Sequence, residues 1–468
     1  MKFRFRSFLL LAAVALVFFA GASIYVSAQF GAVDLAGEVL AGERSAAEGI
    51  TVHERDVLYS RVEFSASYDA GSGESRSDGG LISGYDGSVP VTWSDPALGA
   101  EAVRLTSGVL TWEGPEPDFD AFEPWEREIY SDIVSSFPGE EGSFSGRVLL
   151  NDYTDTTPVR LSGLNGLFLA NYTSREELNA PLPAELLLDV SIEAGPDGGS
   201  ASFAPADDCE AYARAAFTDD SVYFTVWVTG LLDSAPAEPV PNTLTVFRMK
   251  LARIGPEDFP YTYLTYKYDA MLYADFATLE TYCSADCEWN GALLTAGCDS
   301  RPLLFTSGPG GLRLHVLSRG GAAQELLLAA PSDAYSLYDG TAEVLDGCVV
   351  LDAGQVTAAA ATDADGRYYA VCAFDERDLP EPGSACAGSN TFRHFTREMC
   401  AWDGHRLAIL DYGDWLPDHG MRYQYYSRLS VYEDGELVFC EWLPALLRQQ
   451  PFAERALTLS AEPREVTP

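Results

Sequence analysis

The residues best suited to chemistry lie in one stretch between positions 394 and 419, which holds three of the five histidines. The stretch also contains carboxylates and a thiol, so it offers every ligand type that zinc favours. Four residues are our candidate metal ligands: His394, His405, Asp414 and His419. Their spacing matches no recognised zinc motif, and polar residues at hairpin ends are the alternative explanation. A divalent metal is therefore a hypothesis, and we expect no other cofactor.

Aromatic residues accompany these carboxylates. Trp415 lies in DYGDWLPDHG, and Tyr423 and Tyr425 lie in MRYQYYSR. Aromatic faces beside carboxylates suit sugars and peptides, so these three are candidate ligand-binding residues. Packing in strands is the alternative, because the chain contains 24 Tyr, 24 Phe and 8 Trp.

No motif names a reaction or a catalytic residue. The sequence lacks GxSxG, HExxH, GxxxxGK[ST] and a GxGxxG after a strand. Catalytic groups are also assembled in space from distant residues, so an enzyme stays open as an alternative. That alternative is hydrolysis of envelope polysaccharide by two carboxylates.

The N-terminal segment predicts a membrane destination. Residues 7–28 are uncharged and follow Lys2, Arg4 and Arg6. At ~1.5 Å per residue this helix reaches ~33 Å, enough to cross a hydrocarbon core of about 30 Å. The basic flank stays inside, so the rest of the chain is predicted to be extracytoplasmic. The alternative is a signal peptide cleaved after Val26-Ser27-Ala28, which would make the protein secreted.

Net charge limits the partners. Without the three basic residues of the tip, the chain carries 27 basic and 70 acidic residues, a net charge of −43. Such a charge repels nucleic acid, so we expect no nucleic-acid partner. The expected partners are the membrane, through residues 7–28, and an envelope protein, peptide or glycan.

Nine cysteines follow the N-terminal segment, and their spacing fits neither paired zinc knuckles nor a thioredoxin motif. Disulfides in an oxidising compartment and buried reduced thiols both remain open.

The chain after residue 48 has the pattern of antiparallel β hairpins. Gly320-Gly321 and four Asp-Gly pairs, at 346–347, 365–366, 403–404 and 434–435, separate apolar strands. RYYAVCAF and LSVYEDGELVF resemble the strand-turn-strand halves of β-propeller blades. The resemblance implies an all-β, mainly antiparallel, β-propeller-like domain and no specific family. The alternative fold is two β-sandwich domains that divide near residue 200.

One short inserted helix is predicted at about residues 124–136, where Trp125, Ile129, Ile133 and Phe137 recur every four residues. The predicted organisation has five parts: a cytoplasmic tip (1–6), a transmembrane anchor or signal peptide (7–28), a tether (29–48), the β-propeller-like domain (49–450) and a C-terminal tail (451–468).

These features together predict a membrane-tethered, extracytoplasmic binding or scaffold domain of the cell envelope. The polysaccharide hydrolase and a purely structural envelope component are the alternatives.

Overall fold

The computed structural model describes most of the chain in segments. These are residues 13–21, 24–25, 36–58, 62–81, 96–102, 105, 108–173, 176–182, 185–206, 209–230, 243–255, 257, 271–286, 291–332, 335–337, 340–380, 397–415, 424–444 and 454–461.

Of the predicted transmembrane segment 7–28, the structure describes helix α1 (residues 13–21) and residues 24–25. Among the described residues, no helix is long and apolar enough to cross a membrane. The transmembrane segment remains a prediction from the sequence.

The protein divides into two compact units. Unit 1 combines Met1–Thr92 with Glu343–Pro468, and unit 2 is the continuous segment Trp93–Ala342. Both units are built from β-sheets, and every strand pair described is antiparallel except one, so the predicted all-β, mainly antiparallel class is confirmed. Residue 200 lies inside unit 2, within strand β12 (Gly198–Pro205).

The described residues of unit 1 form three sheets. Sheet A has the order β1-β28-β27-β26-β25 and comprises β1 (Glu38–Gly42), β25 (Cys400–Trp402), β26 (Arg406–Trp415), β27 (Gln424–Glu433) and β28 (Glu436–Pro444). Sheet B has the order β29-β2-β3-β4 and comprises β2 (Ile50–Leu58), β3 (Val62–Asp69), β4 (Glu74–Leu81) and β29 (Glu454–Ala461). Sheet C comprises β21 (Thr341–Val344), β22 (Cys348–Asp352), β23 (Val356–Thr362) and β24 (Tyr368–Asp375), in chain order.

In unit 2, the part of the chain that the structure describes forms four sheets. Sheet D has the order β10-β8-β5, formed by β5 (Ala97–Ala102), β8 (Thr156–Leu164) and β10 (Leu178–Pro181). Sheet E has the order β6-β12-β11-β7, with β6 (Gly108–Glu113), β7 (Gly142–Leu149) and β11 (Leu187–Gly195) beside β12. Sheet F comprises β13 (Cys209–Phe217), β14 (Ser221–Gly230), β15 (Thr243–Ile254) and β16 (Met271–Asp286), with β9 (Leu167–Ala170) parallel to β16. Sheet G comprises β17 (Gly291–Ala296), β18 (Pro302–Gly308), β19 (Gly311–Ser318) and β20 (Gly321–Ala329), in chain order.

Strands from the two ends of the chain share the sheets of unit 1. Residues 38–42, within the predicted tether, form β1 and pair with β28. Residues 454–461, within the predicted C-terminal tail, form β29 and pair with β2. Both end segments are therefore parts of the folded unit.

The predicted glycine-containing turns all lie between consecutive strands. At Asp434-Gly435, between β27 and β28, both residues have positive φ, at 52° and 87°. This is the requirement of a type I′ turn, which explains the preference for Asp followed by Gly. In the turn before β24, Asp363 Oδ1 accepts the backbone N–H groups of Asp365 and Arg367.

The predicted inserted helix is confirmed as α2 (Pro124–Ser135), with Trp125, Ile129 and Tyr130 buried. Its N-terminus is closed by a capping box between Glu123 and Glu126, which satisfies two backbone N–H groups that a helix start leaves unpaired. Trp125 packs edge to face on Phe203 of β12. The helix thus covers the inner face of sheet E within the apolar core of unit 2.

Candidate functional site

Three sequence-predicted residues have neighbouring backbone positions at one end of the β26–β27 hairpin. Asp414 lies opposite Tyr425, and Trp415 lies opposite Gln424. Adjacent strands are about 4.8 Å apart, so the backbones of Asp414, Trp415 and Tyr425 lie close together. The remaining candidates at this end, His419 and Tyr423, belong to the segment 416–423 between the strands and lie outside the described residues, as does His394.

His405 lies at the opposite end of β26 from Asp414. Nine residues separate the two, which corresponds to roughly 30 Å at ~3.3 Å per strand residue. His405 Nε2 is 2.9 Å from Glu433 Oε1, at the end of the adjacent strand β27. In the described segments no group of three or more His, Cys, Asp and Glu side chains could hold a metal ion. The strand geometry therefore does not bring His405 and Asp414 to one ion.

A buried ion pair lies three residues from the hairpin end. Asp411 of β26 is directly opposite Arg428 of β27, and Arg428 Nη2 donates to Asp411 Oδ2. Both side chains are buried. Burial alone would lower the pKa of Arg428, but the charge and hydrogen bond of Asp411 outweigh it and hold that pKa above its ordinary value. The guanidinium therefore stays charged and fixes the two strands together.

This ion pair has unused hydrogen-bonding capacity. Among the contacts of the described residues, Asp411 Oδ1 and Arg428 Nε have no hydrogen-bond partner. A buried polar atom without a partner destabilises a fold by about 1–3 kcal/mol. The hairpin thus contains buried polar groups that are not needed to fill the apolar core.

The surroundings of Arg428 are thiol-rich and aromatic. Ser430 Oγ lies 3.8 Å from Cys440 Sγ on the neighbouring strand. Tyr432 stacks on Phe374 of sheet C, with ring centroids 4.5 Å apart. Burial raises the pKa of Tyr432, and it raises the pKa of Cys372 to about 12. The Cys372 thiol is therefore uncharged at neutral pH, and a thiol is a poor nucleophile and metal ligand in that form.

A second buried pair lies at the other end of the same hairpin. Arg406 Nε donates to Asp403 Oδ2 at 2.8 Å, and both side chains are almost fully buried. Arg406 also donates to the carbonyl oxygens of Ala46 and Glu48, at 2.7 and 2.9 Å. Arg406 and Asp403 thereby anchor the segment before β2 to sheet A.

A third buried carboxylate, Glu441, accepts hydrogen bonds from residues on both sides of β1 and from β3. It accepts hydrogen bonds from Arg44 Nη2 at 2.6 Å, from Tyr68 Oη at 2.7 Å and from the Gly37 backbone N–H at 3.1 Å. Burial would lower the pKa of Arg44, but hydrogen bonds from Arg44 to Glu441 and Tyr68 hold it above its ordinary value. Glu441 is the residue on which β1, β3 and β28 converge.

Sequence reasoning identified the hairpin end but not the ion pairs. Asp403 and Asp411 stand out in the sequence as potential ligands, yet each binds a buried arginine. The one local signal was a charged residue inside an apolar strand, as in RLAILDYGDW. Such a charge needs a buried partner, but the strand itself does not show which one.

Comparisons with known proteins identify no family. No protein-family description and no curated protein matches the chain. Among solved structures, the chain is similar to a quinoprotein alcohol dehydrogenase-like protein from Bacteroides thetaiotaomicron, with 7% sequence identity over 88% of this chain and 91% of that chain. The TM-score of this match is 0.15, so it supports no conclusion about fold or activity.

Proposed function

We propose that this protein is an extracytoplasmic binding or scaffold domain of the cell envelope, tethered to the membrane by residues 7–28. The single observation that carries the binding role is the register of the β26–β27 hairpin. It holds Asp414 directly opposite Tyr425, so that both positions are on one face of the sheet, on a stem fixed by the buried Asp411–Arg428 pair. Carboxylates beside aromatic residues on a rigid support suit the hydroxyl groups and apolar faces of sugars, and also cationic peptides.

The strand connectivity supports a β-propeller-like arrangement as the finer description of the fold. Sheets C and G are four-stranded antiparallel meanders, the unit from which propeller blades are built. In unit 1, β1 completes the sheet of the C-terminal strands and β29 completes the sheet of the N-terminal strands. Both sheets thereby combine strands from the two ends of the chain, which is how the first and last segments of a repeated β structure are held together.

The membrane tether is supported by the surface of α1. The side chains of Val14, Leu16, Val17, Phe18 and Phe19 are 62–73% exposed. Removing apolar surface from water contributes about 25 cal/mol per Å², so a lipid environment around this helix is favourable.

The net charge of −40 further favours cationic partners over anionic ones.

The hydrolase alternative has less support than binding. Its mechanism requires two carboxylates that are available to a glycosidic bond. The buried carboxylates of the candidate hairpin, Asp403 and Asp411, are instead bound to Arg406 and Arg428.

Binding is tested with the full chain, purified in detergent, on an array of envelope polysaccharide fragments and by crosslinking to envelope proteins. An aromatic anchor is worth more than about 1 kcal/mol, and only position 425 is on the same face of the sheet as Asp414, so the double variant Trp415→Ala/Tyr425→Ala is expected to weaken binding at least ~5-fold. Tyr369→Ala is the matched control, because Tyr369 is an exposed tyrosine of sheet C in the same unit. Unchanged binding by the double variant, or turnover of a glycan, would contradict the proposal.

A further inference from the structure

The chain contains one tripeptide of the N-glycosylation type. Of its seven asparagines, only Asn171 is followed two positions later by Ser or Thr, in Asn171-Tyr172-Thr173. The middle residue is not proline, so the motif meets the sequence requirement for transfer of a glycan to the asparagine. Its placement in unit 2 decides whether a glycan fits there.

The structure places this tripeptide at the surface, directly after β9. Asn171 and Thr173 are both exposed, whereas Tyr172 between them is partly buried. The Tyr172 hydroxyl accepts the Leu161 N–H at 2.8 Å, and its ring packs edge to face on Phe276 at 4.8 Å. The anchored tyrosine therefore leaves the acceptor amide and the Thr173 hydroxyl at the surface.

The Asn171 side chain has one N–H to spare. Its Nδ2 donates to Asp275 Oδ1 at 2.7 Å. A carboxamide nitrogen carries two hydrogens, so replacing one with a sugar leaves the other for Asp275. Asn171 also has a φ of 56°, a left-handed conformation in which asparagine is tolerated, which suits an exposed turn.

We propose that Asn171 is an N-glycosylation site, which receives an oligosaccharide from a lipid-linked diphosphate donor during export. The new bond joins Asn171 Nδ2 to the anomeric carbon of the sugar. The bond between that carbon and the phosphate oxygen breaks, the lipid diphosphate leaves, and the amide proton passes to a base of the transferase. This inference rests on the proposed extracytoplasmic location, because donor and transferase act on exported chains.

We expect transfer to precede the folding of unit 2. In the folded unit, Tyr172 is fixed by Leu161 and Phe276, and Asn171 is held by Asp275. A transferase that must bend the tripeptide to reach Nδ2 would have to break these contacts. The unfolded chain presents no such obstacle.

The test is mass spectrometry of the full-length protein from its native cells, together with fractionation and protease accessibility of the same sample. Trypsin releases residues 161–175, LSGLNGLFLANYTSR, which contains both Asn165 and Asn171. Enzymatic glycan removal in ¹⁸O-labelled water converts a modified asparagine to a labelled aspartate. Fragment ions are expected to place the label on Asn171.

Matched variants identify the motif. Asn171→Gln and Thr173→Ala are expected to abolish the modification, while Thr173→Ser retains it. Asn165→Gln is the control, because Asn165 is also exposed and has a φ of 52° but lacks the downstream hydroxyl. An exported protein with an unmodified 161–175 peptide would overturn this inference and leave the proposed function intact. A protein found only in the cytoplasm would overturn both.

Discussion

Arg44 and Glu441 join the two ends of the folded chain. Arg44 Nη2 lies 2.6 Å from Glu441 Oε1, although 397 residues separate them in the sequence. Glu441 is fully buried, and Tyr68 and the Gly37 N–H complete its hydrogen bonds. The segment that connects the predicted membrane helix to the domain is therefore held by β28, the strand that contains Glu441.

We expect Glu441→Gln to destabilise unit 1. Removing one partner of a buried ion pair typically costs about 3–5 kcal/mol, and the lower end applies here because Arg44 is partly exposed and regains water. Urea unfolding of the full chain measures the change in the free energy of unfolding. Hydrogen exchange should show lost protection in β1 and β28 and unchanged protection in unit 2.

Asp189→Asn is the control for Glu441→Gln. Asp189 pairs with Arg147 at 3.1 Å, but both side chains are more than half exposed. Exposed ion pairs contribute about 0–1 kcal/mol. A Glu441 variant no less stable than this control would show that the two chain ends are held by backbone pairing alone.

For the Asp411–Arg428 pair, we expect removing one partner to destabilise the protein and removing both partners to preserve its stability. Asp411→Asn alone leaves Arg428 charged and buried, so we expect a loss of about 3–5 kcal/mol. The double variant Asp411→Leu/Arg428→Met removes both charges together with the unpaired atoms. We expect it to be close to the wild type in stability, or more stable, when unfolding is measured by urea titration.

The same double variant tests the binding role. If the ion pair serves to orient the hairpin end, the double variant should bind the ligand of the wild-type protein more weakly while its stability is preserved. If the double variant matches the wild type in both affinity and stability, the ion pair has no role in positioning Asp414 and Tyr425.

Local sequence signals were sufficient for most hairpins and for α2. Gly435 is needed for a positive φ, and that requirement is visible in the sequence. The hairpin between β2 and β3 was missed, because VLYSRVEF has no Gly, Pro, Asn or Asp to mark its turn and has the alternation of a single strand. Turns without such residues are set by pairing with other strands, which a local pattern does not contain.

The Arg44–Glu441 ion pair could not be predicted, because its partners are distant in sequence. Arg44 lies in GERSAAEG, which has the composition of a tether, and only sheet A supplies its partner. Likewise, the distance between His405 and Asp414 depends on the intervening residues being one continuous strand. Residue types indicated the chemistry that was available, and the register decided which residues meet.

His315 predicts the pH dependence of unit 2. This side chain is buried, and its Nε2 lies 2.9 Å from Thr306 Oγ1. Burial lowers the pKa of His315, although the nearby Glu325 raises it in part. The unfolded chain therefore binds a proton more readily, so stability is complete above pH of about 6.5 and falls as the pH drops below that value.

Replacing His315 with Gln should flatten this acid slope between about pH 6.5 and pH 5, because Gln has no proton to gain. The measurement is the free energy of unfolding across that range. His53→Gln is the control for replacing a histidine, since His53 is exposed and lies in unit 1. An equal slope in the His315 variant would assign the acid sensitivity to the carboxylates instead.

Two buried thiols report separately on the two units. Burial raises the pKa of Cys372, in unit 1, to about 12 and that of Cys283, in unit 2, to about 11. At pH 8 a thiol of pKa 12 is ionised in about one molecule in ten thousand, against roughly a quarter for an unperturbed thiol. We therefore expect iodoacetamide to modify both cysteines at least ~100-fold more slowly in the folded protein than in urea, as measured by peptide mass spectrometry.

In the Glu441→Gln variant at an intermediate urea concentration, Cys372 should react before Cys283, because the variant weakens only unit 1. Simultaneous reaction of the two cysteines would mean that the units unfold as one.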